Sequence, residues 1–248
     1  MKGVQDYLIS IPSLTVSDTV TKARKILRDD VFREIYVADH KKELAGYIDI
    51  TDVLRITATK SNVTVDGFIK DAPFVSPGDS IEGAVIAIRS FKTDSAAVVG
   101  PGRTLIGAVL LSDLFPVIIN RRNLQGRVSD FMTTKVMTCC ADDPLQKVYT
   151  TILECGYNAL PVIRKKRLVG IVSRRDLLRE GHLRPSIGHP ADTPVCELMT
   201  QQVISVTPDV AIQVAADLLV RNNIGRLPVV EDMKLVGILD RHDVLSGV

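Results

Sequence analysis

GIVSRRDLL, Gly170–Leu178, sets a glycine at the head of a short apolar run, follows it with a serine, two arginines and an aspartate, and returns to leucine. The chain writes nearly the same segment three more times: GYIDITDVL from Gly46, GAVLLSDLF from Gly107 and GILDRHDVL from Gly237. Successive glycines lie 61, 63 and 67 residues apart, and six positions after each stands an aspartate: Asp52, Asp113, Asp176 and Asp243. A second block precedes each copy, TVSDTV, VSPGDSI, CADDPL and SVTPDV in turn. A period above about 50 residues is too long for a solenoid of helix pairs, so each repeat is a small supersecondary unit of its own.

The fourth repeat shows the layout most clearly. Val203–Val206 reads as a short apolar strand, stopped by Pro208, with Asp209 as helix N-cap. From Val210 to Arg221, Ile212, Ala215, Ala216 and Leu219 recur at helical spacing and make one buried face. Asn222, Asn223 and Gly225 break the helix. Two strands follow, Leu227–Val230 and Leu235–Leu239, separated by the polar turn Glu231–Lys234, and a closing helix starts near Arg241. The order is strand-helix-strand-strand-helix, an α/β unit with nearly continuous apolar strands that helices should cover. One such unit is marginal alone. Four of them, at residues 1–60, 61–121, 122–182 and 183–248, therefore pair into two modules, 1–121 and 122–248. The Pro/Gly-rich stretch Arg179–Pro194 fits a linker inside the second.

Composition excludes several functions. Hydrophobic residues at 46% and charged ones at 24% give the balance of a globular protein, and a net charge of +2 lacks the basic excess of a nucleic-acid binder. Aromatics are 4% with no Trp and Val, Ile and Leu are plentiful, which fits β-branched strands packed by helices better than base-stacking platforms. Cys139, Cys140, Cys155 and Cys196 form no CxxC, and neighbours on a strand point to opposite faces, so they read as buried, reduced thiols. No apolar stretch approaches the roughly 20 residues of a membrane span, and MKGVQDYLIS lacks the build of a signal peptide, so the cytoplasm is expected. His40, His182, His189 and His242 offer no nucleophile–base pair and no metal-ligand spacing, and GxGxxG, Walker and HExxH motifs are absent. The expectation is a non-catalytic protein without metal or cofactor.

The third and fourth repeats carry further motifs: VSDFMTTKVMTC, NALPVI and GIVSRRDLL in one, VCELMTQQVISVTPD, GRLPVV and GILDRHDVL in the other. With these the chain resembles cystathionine-beta-synthase (CBS) domain proteins, as four tandem CBS units paired into two Bateman modules. The gamma subunit of AMP-activated protein kinase also has four copies. The resemblance implies a regulatory sensor that binds an adenosine-containing ligand (AMP, ADP or ATP) in clefts between paired units, with a homodimer or a regulated protein as partner. An interaction scaffold without ligand, and a sensor of S-adenosylmethionine or a related adenosyl compound, are the alternatives.

Within the repeated segment, Ser173 and Asp176 have capping-box spacing, and Asp49/Asp52 and Asp240/Asp243 can serve partly the same end. A carboxylate beside a strand end can also accept from both hydroxyls of a ribose. The resemblance gives that role to Asp176, Asp243 and Asp52, with Ser173 and Asp240 beside them. Asp113, with Leu110 in the hydroxyl position, is the weakest candidate. For phosphate, which needs cations or helix N-terminal amides, the resemblance points to Arg226. Arg174, Arg175, Arg241 and His242 lie in the first turns of the closing helices, where a cation opposes the helix dipole. The adenine slot falls at Val136, Met137, Thr138, Val203, Ile204 and Ser205, walled by Ile224 and Ala159; apolar residues at these positions should be core in any reading. The first half has IYV and AAV in place of Leu-Pro-Val and no Met-Thr opening such as Met132-Thr133 or Met199-Thr200. Nucleotide binding is therefore assigned chiefly to residues 122–248.

Overall fold

A computed structural model of the chain describes residues 2–29, 32–56, 62–180 and 192–246. His182, His189 and most of the expected linker lie outside the described residues. The chain divides into two compact units, Met1–Arg121 and Arg122–Val248.

The first unit contains β1 (Ser13–Thr15), α1 (Val20–Asp29), β2 (Glu34–Ala38), β3 (Leu44–Asp49) and α2 (Ile50–Arg55), then β4 (Phe74–Val75), α3 (Ile81–Phe91), β5 (Ser95–Val99), β6 (Leu105–Leu110) and α4 (Leu111–Arg121). Each set of three strands forms its own sheet, β1-β2-β3 and β4-β5-β6, with the first strand parallel and the hairpin antiparallel. The second unit repeats the theme. After the short α5 (Val128–Phe131) come β7 (Cys139–Cys140), α6 (Leu145–Cys155), β8 (Ala159–Arg164), β9 (Arg167–Ser173) and α7 (Arg174–Glu180). Then follow α8 (Ile212–Arg221), β10 (Arg226–Glu231), β11 (Lys234–Asp240) and α9 (Arg241–Ser246). Its strands join as β10-β11-β9-β8-β7 through the single pair Lys234↔Arg167.

The four hairpins share one register. The motif glycine stands opposite a valine each time, Val37↔Gly46, Val98↔Gly107, Val162↔Gly170 and Val229↔Gly237, with a bulge immediately after the valine. The long helices bury one face: Ile81, Ala84, Val85 and Ile88 on α3, and Ile212, Ala215, Ala216 and Leu219 on α8. That i, i+3, i+4, i+7 pattern is the one the hydrophobic spacing demands.

Two expectations for the fourth repeat are corrected. The strand over Val203–Val206 shrinks to a single parallel bridge, Val206↔Val229. Val206 N–H donates to the Pro228 carbonyl and its own carbonyl accepts from Val230, while Pro228 has no N–H to extend the ladder. Asp209 is not the N-cap of α8, which begins after Ala211 and has no side-chain cap. Asp209 instead accepts from the Thr207 hydroxyl. The first α8 amide, Ile212 N–H, donates to the Gly126 carbonyl at 3.1 Å, so the segment leading into repeat three caps the helix of repeat four.

That capping belongs to a reciprocal exchange of arms. Leu145 N–H at the head of α6 donates to the Thr193 carbonyl, from the segment leading into repeat four. In the first unit Val4 N–H donates to the Asp79 carbonyl ahead of α3, and Val20 N–H donates to the Val63 carbonyl. Each arm then runs across the closing strand of the paired repeat through the bridges Ile9↔Ala108, Tyr47↔Lys70, Thr133↔Ile238 and Ile171↔Thr200. The motif glycines lie under these crossings. A Cβ on Gly107 would stand 2.4 Å from the Ile9 carbonyl oxygen, and one on Gly46 2.3 Å from that of Lys70. At Gly170 and Gly237 it would meet the sulfurs of Met199 and Met132 at 2.4 and 2.6 Å. The glycine leaves room for the crossing arm, for its backbone at Gly46 and Gly107 and for its methionine side chain at Gly170 and Gly237.

Candidate functional site

The end of each hairpin runs straight into the closing helix, and this junction holds the candidate ligand groups. At Ser173, the backbone N–H and the hydroxyl both donate to Asp176 Oδ2 at 2.7 Å, while Asp176 N–H donates back to Ser173 Oγ at 3.3 Å. The capping box is therefore formed, as it is at Asp49/Asp52 and Asp240/Asp243. In the second repeat Leu110 has nothing to cap with, and exposed Asp113 accepts from the Ser112 hydroxyl at 3.3 Å.

Asp243 is the more perturbed carboxyl of the second unit. Burial and the neighbouring Asp240 charge push it up to about 7, against a smaller downward pull from Arg226. Arg226 opens β10 directly opposite Asp240, so its cation and the two carboxylates share one strand end.

The other cations differ in placement. Arg174 Nε donates to the Tyr157 carbonyl at 2.7 Å and its Nη2 to that of Gly156, so its guanidinium clamps the C-terminal end of α6. Arg241 is buried, at 8% exposure, with its backbone N–H on the Gly225 carbonyl. Arg175 and His242 are half-buried, and the buried Nδ1 of His242 has no hydrogen-bond partner.

The expected adenine slot is less buried than a core would be. Val136, Thr138, Val203, Ile204, Ser205 and Ile224 are half-buried, and Met137 is 42% exposed; Ala159 alone is in the core, at 7%. The expectation that all these apolar residues are core is therefore corrected. Their segments continue the crossing arms: residues 136–138 follow Thr133, which pairs with Ile238 beside Asp240, and residues 203–205 follow Thr200, which pairs with Ile171 beside Ser173. The geometry thus gives two half-open apolar edges, each led to a carboxylate-bearing strand end by an arm from the paired repeat.

In the first unit the same junction is wired differently. Lys70 Nζ lies 2.9 Å from Asp49 Oδ2, 2.7 Å from Asp52 Oδ2 and 5.1 Å from the Tyr47 ring centroid. Burial and Asp49 raise the Asp52 pKa, with Lys70 opposing them. Glu34 accepts from Asp94 N–H and the Ser95 hydroxyl, both at 2.9 Å; Ser95 Oγ is 2.8 Å from Tyr36 Oη, and Arg33 pairs with Asp94 at 2.9 Å. Sequence reasoning passed over Glu34 and Lys70. Aligning REIYV with GRLPVV puts Glu34 under Arg226, and aligning FIK with FMT puts Lys70 under Thr133.

The family model for the CBS domain matches residues 4–58, 128–182 and 195–248, more than half of the chain. The chain belongs to the CBS domain family. The second repeat falls outside those matches, yet its strand-helix-strand-strand-helix order is that of the first and third. Among its relatives, the uncharacterized protein MJ0188 of Methanocaldococcus jannaschii is 33% identical over 124 residues, 49% of this chain and 43% of that protein. The CBS domain-containing protein YhcV of Bacillus subtilis is 31% identical over 118 residues, 47% of this chain and 81% of YhcV. The crystal structure of M. jannaschii MJ1225, described as a proposed archaeal homologue of g-AMPK, superimposes with a TM-score of 0.84 at 20% identity, covering 99% of both chains. That likeness establishes the tandem CBS fold over the whole chain. The sequence matches themselves span 43% of MJ0188 and 61% of MJ1225, about half the length of these curated relatives. Among the described residues no helix is long and apolar enough to cross a membrane, and no group of three His, Cys, Asp or Glu side chains is placed to hold a metal.

Proposed function

We propose that the chain is a non-catalytic regulatory protein of the cytoplasm whose second unit, residues 122–248, binds an adenine nucleotide. The carrying observation is the Ser173–Asp176 box beside an apolar edge that the fold leaves half-open. The cap uses one carboxylate oxygen, Oδ2, for both Ser173 donors. Asp176 Oδ1 is then the acceptor for a ribose hydroxyl, so capping and binding coexist on one side chain. At the second strand end, Asp240 and Asp243 supply acceptors and Arg226 a cation for phosphate. The half-exposed Val136, Met137, Val203, Ile204 and Ile224 provide apolar surface for the base. Arg174 clamps the end of α6, which leaves Arg226, Arg241 and His242 at the fourth repeat's strand end and Arg175 at the third's as the phosphate set.

Signalling follows if the nucleotide binds two arrangements of the paired repeats, or of the chain with a partner, unequally. The test is a thermal-shift series of the intact chain with AMP, ADP, ATP and S-adenosylmethionine. A ligand of the folded state alone raises its stability, so the phosphorylated ligands should raise Tm. A shift with S-adenosylmethionine alone transfers the site to a cationic adenosyl ligand. No shift with any of the four at millimolar concentration refutes ligand sensing and favours the scaffold.

A further inference from the structure

The two units hold equivalent positions that the backbone identifies without ambiguity. Lys70 exchanges both backbone hydrogen bonds with Tyr47, at 2.9 Å each, as Thr133 does with Ile238 at 2.9 and 3.0 Å. Glu34 stands opposite Asp49 in its hairpin as Arg226 stands opposite Asp240. The side chains at these positions differ in charge. Where the second unit presents a threonine and an arginine, the first presents a lysine and a glutamate.

The lysine reaches the very carboxylates that its repeat would offer to a ligand. Lys70 Nζ is 2.7 Å from Asp52 Oδ2 and 2.9 Å from Asp49 Oδ2, with the Tyr47 ring on its flank. Glu34, at 9% exposure, is tied by the Ser95 hydroxyl and the Asp94 amide of the paired repeat. A phosphate brought to this position would meet a buried carboxyl group in place of a guanidinium. We propose that Lys70 is a built-in occupant of the carboxylate site of residues 1–121, and that with Glu34 it reserves nucleotide binding to residues 122–248. Only the second half of that statement rests on the nucleotide reading above.

The test is lysine acylation of the intact chain by a small amine-reactive ester, followed by mass spectrometry, with and without millimolar AMP. Each unit by which paired carboxylates raise an ammonium's pKa cuts the reactive free amine tenfold. Lys70 should therefore react at least about threefold more slowly than exposed Lys42 and Lys92, and AMP should leave its rate unchanged. Asp49→Asn, which keeps an N-cap side chain, should speed Lys70 toward the rate of the exposed lysines, a change that simple shielding would not produce. A wild-type Lys70 as reactive as Lys42, or one that AMP protects or exposes, overturns the proposal. A slow Lys70 in a chain that binds no AMP supports its occupancy of the site and refutes the nucleotide reading instead.

Discussion

Gly107→Ala puts the crossing of the arms to a quantitative test. The added Cβ would stand 2.4 Å from the Ile9 carbonyl oxygen and 2.6 Å from Leu8 Cδ1, where ordinary contact begins at 3.4 Å. The arm must therefore withdraw by about 1 Å, since neither β6 nor a backbone carbonyl can yield as a flexible side chain does. Withdrawal strains both bonds that hold it, Ile9 N–H to Ala108 O at 2.9 Å and Ala108 N–H to Ile9 O at 3.1 Å. Each is worth about 1 kcal/mol, and the overpacking adds about 1–3 kcal/mol. Alanine's smaller unfolded-state entropy returns about 0.5–1 kcal/mol. The net loss is about 2–4.5 kcal/mol, a fall of roughly 8–18 °C in the melting of the first unit. Scanning calorimetry and urea denaturation followed by circular dichroism measure it. Gly67→Ala is the control, because nothing lies within 4 Å of where its methyl group would stand and its φ is ordinary; it should change stability by less than about 0.5 kcal/mol. If the two variants melt together, the arm does not lie across β6 and the explanation of the motif glycine fails.

Three further outcomes are expected. Glu34, a buried group, has its carboxyl pushed up to about 7 from 4.5 by burial first and then by Asp94. The folded state therefore holds that proton more tightly than the unfolded one, and stability falls as pH rises from 4.5 through 7, by up to about 3 kcal/mol. Glu34→Gln should remove that slope and be the more stable protein at pH 8; an unchanged slope in urea titrations across this range contradicts the assignment. Asp243, pushed up to about 7, accepts most strongly from a ribose hydroxyl when ionised, so AMP affinity at that strand end should rise up to about tenfold between pH 6 and 8. Calorimetric affinities that are flat or falling over the interval argue against Asp243 as the acceptor. Ser173→Ala removes the cap of α7 and should cost about 1 kcal/mol by chemical denaturation; no measurable loss would mean the cap is energetically idle.

The local grammar of the chain was legible because its periods are local. The α8 face at Ile212, Ala215, Ala216 and Leu219, the break at Asn222–Gly225 and the hairpin that follows all emerge where their spacing puts them. The capping reading of Ser173–Asp176 was legible for the same reason, since both groups lie within one turn. What the sequence hid is long-range. Asp209 loses the N-cap role because Gly126, from the paired repeat, supplies the acceptor. The first half seemed to lack the Met-Thr opening, but Leu8-Ile9 and Ile69-Lys70 take its place, because the crossing is made by backbone amides and carbonyls that any residue provides. The Lys70–Asp49–Asp52 pairing brings together side chains that no spacing rule connects. Met137, apolar yet 42% exposed, shows the opposite failure, in which an apolar residue was assigned to a core that does not cover it.

The most direct test of the central claim is calorimetric titration of AMP into the intact wild-type chain and into Asp176→Asn, with the folding stability of each measured in parallel. The account predicts saturable binding by wild type and a loss of affinity of about tenfold or more in Asp176→Asn, because a neutral amide accepts more weakly than a carboxylate. Stability should fall by no more than about 1 kcal/mol, since asparagine still satisfies part of the helix start. Wild-type protein that takes up no AMP at millimolar concentration, or an Asp176→Asn chain that binds AMP as tightly as wild type, would contradict it.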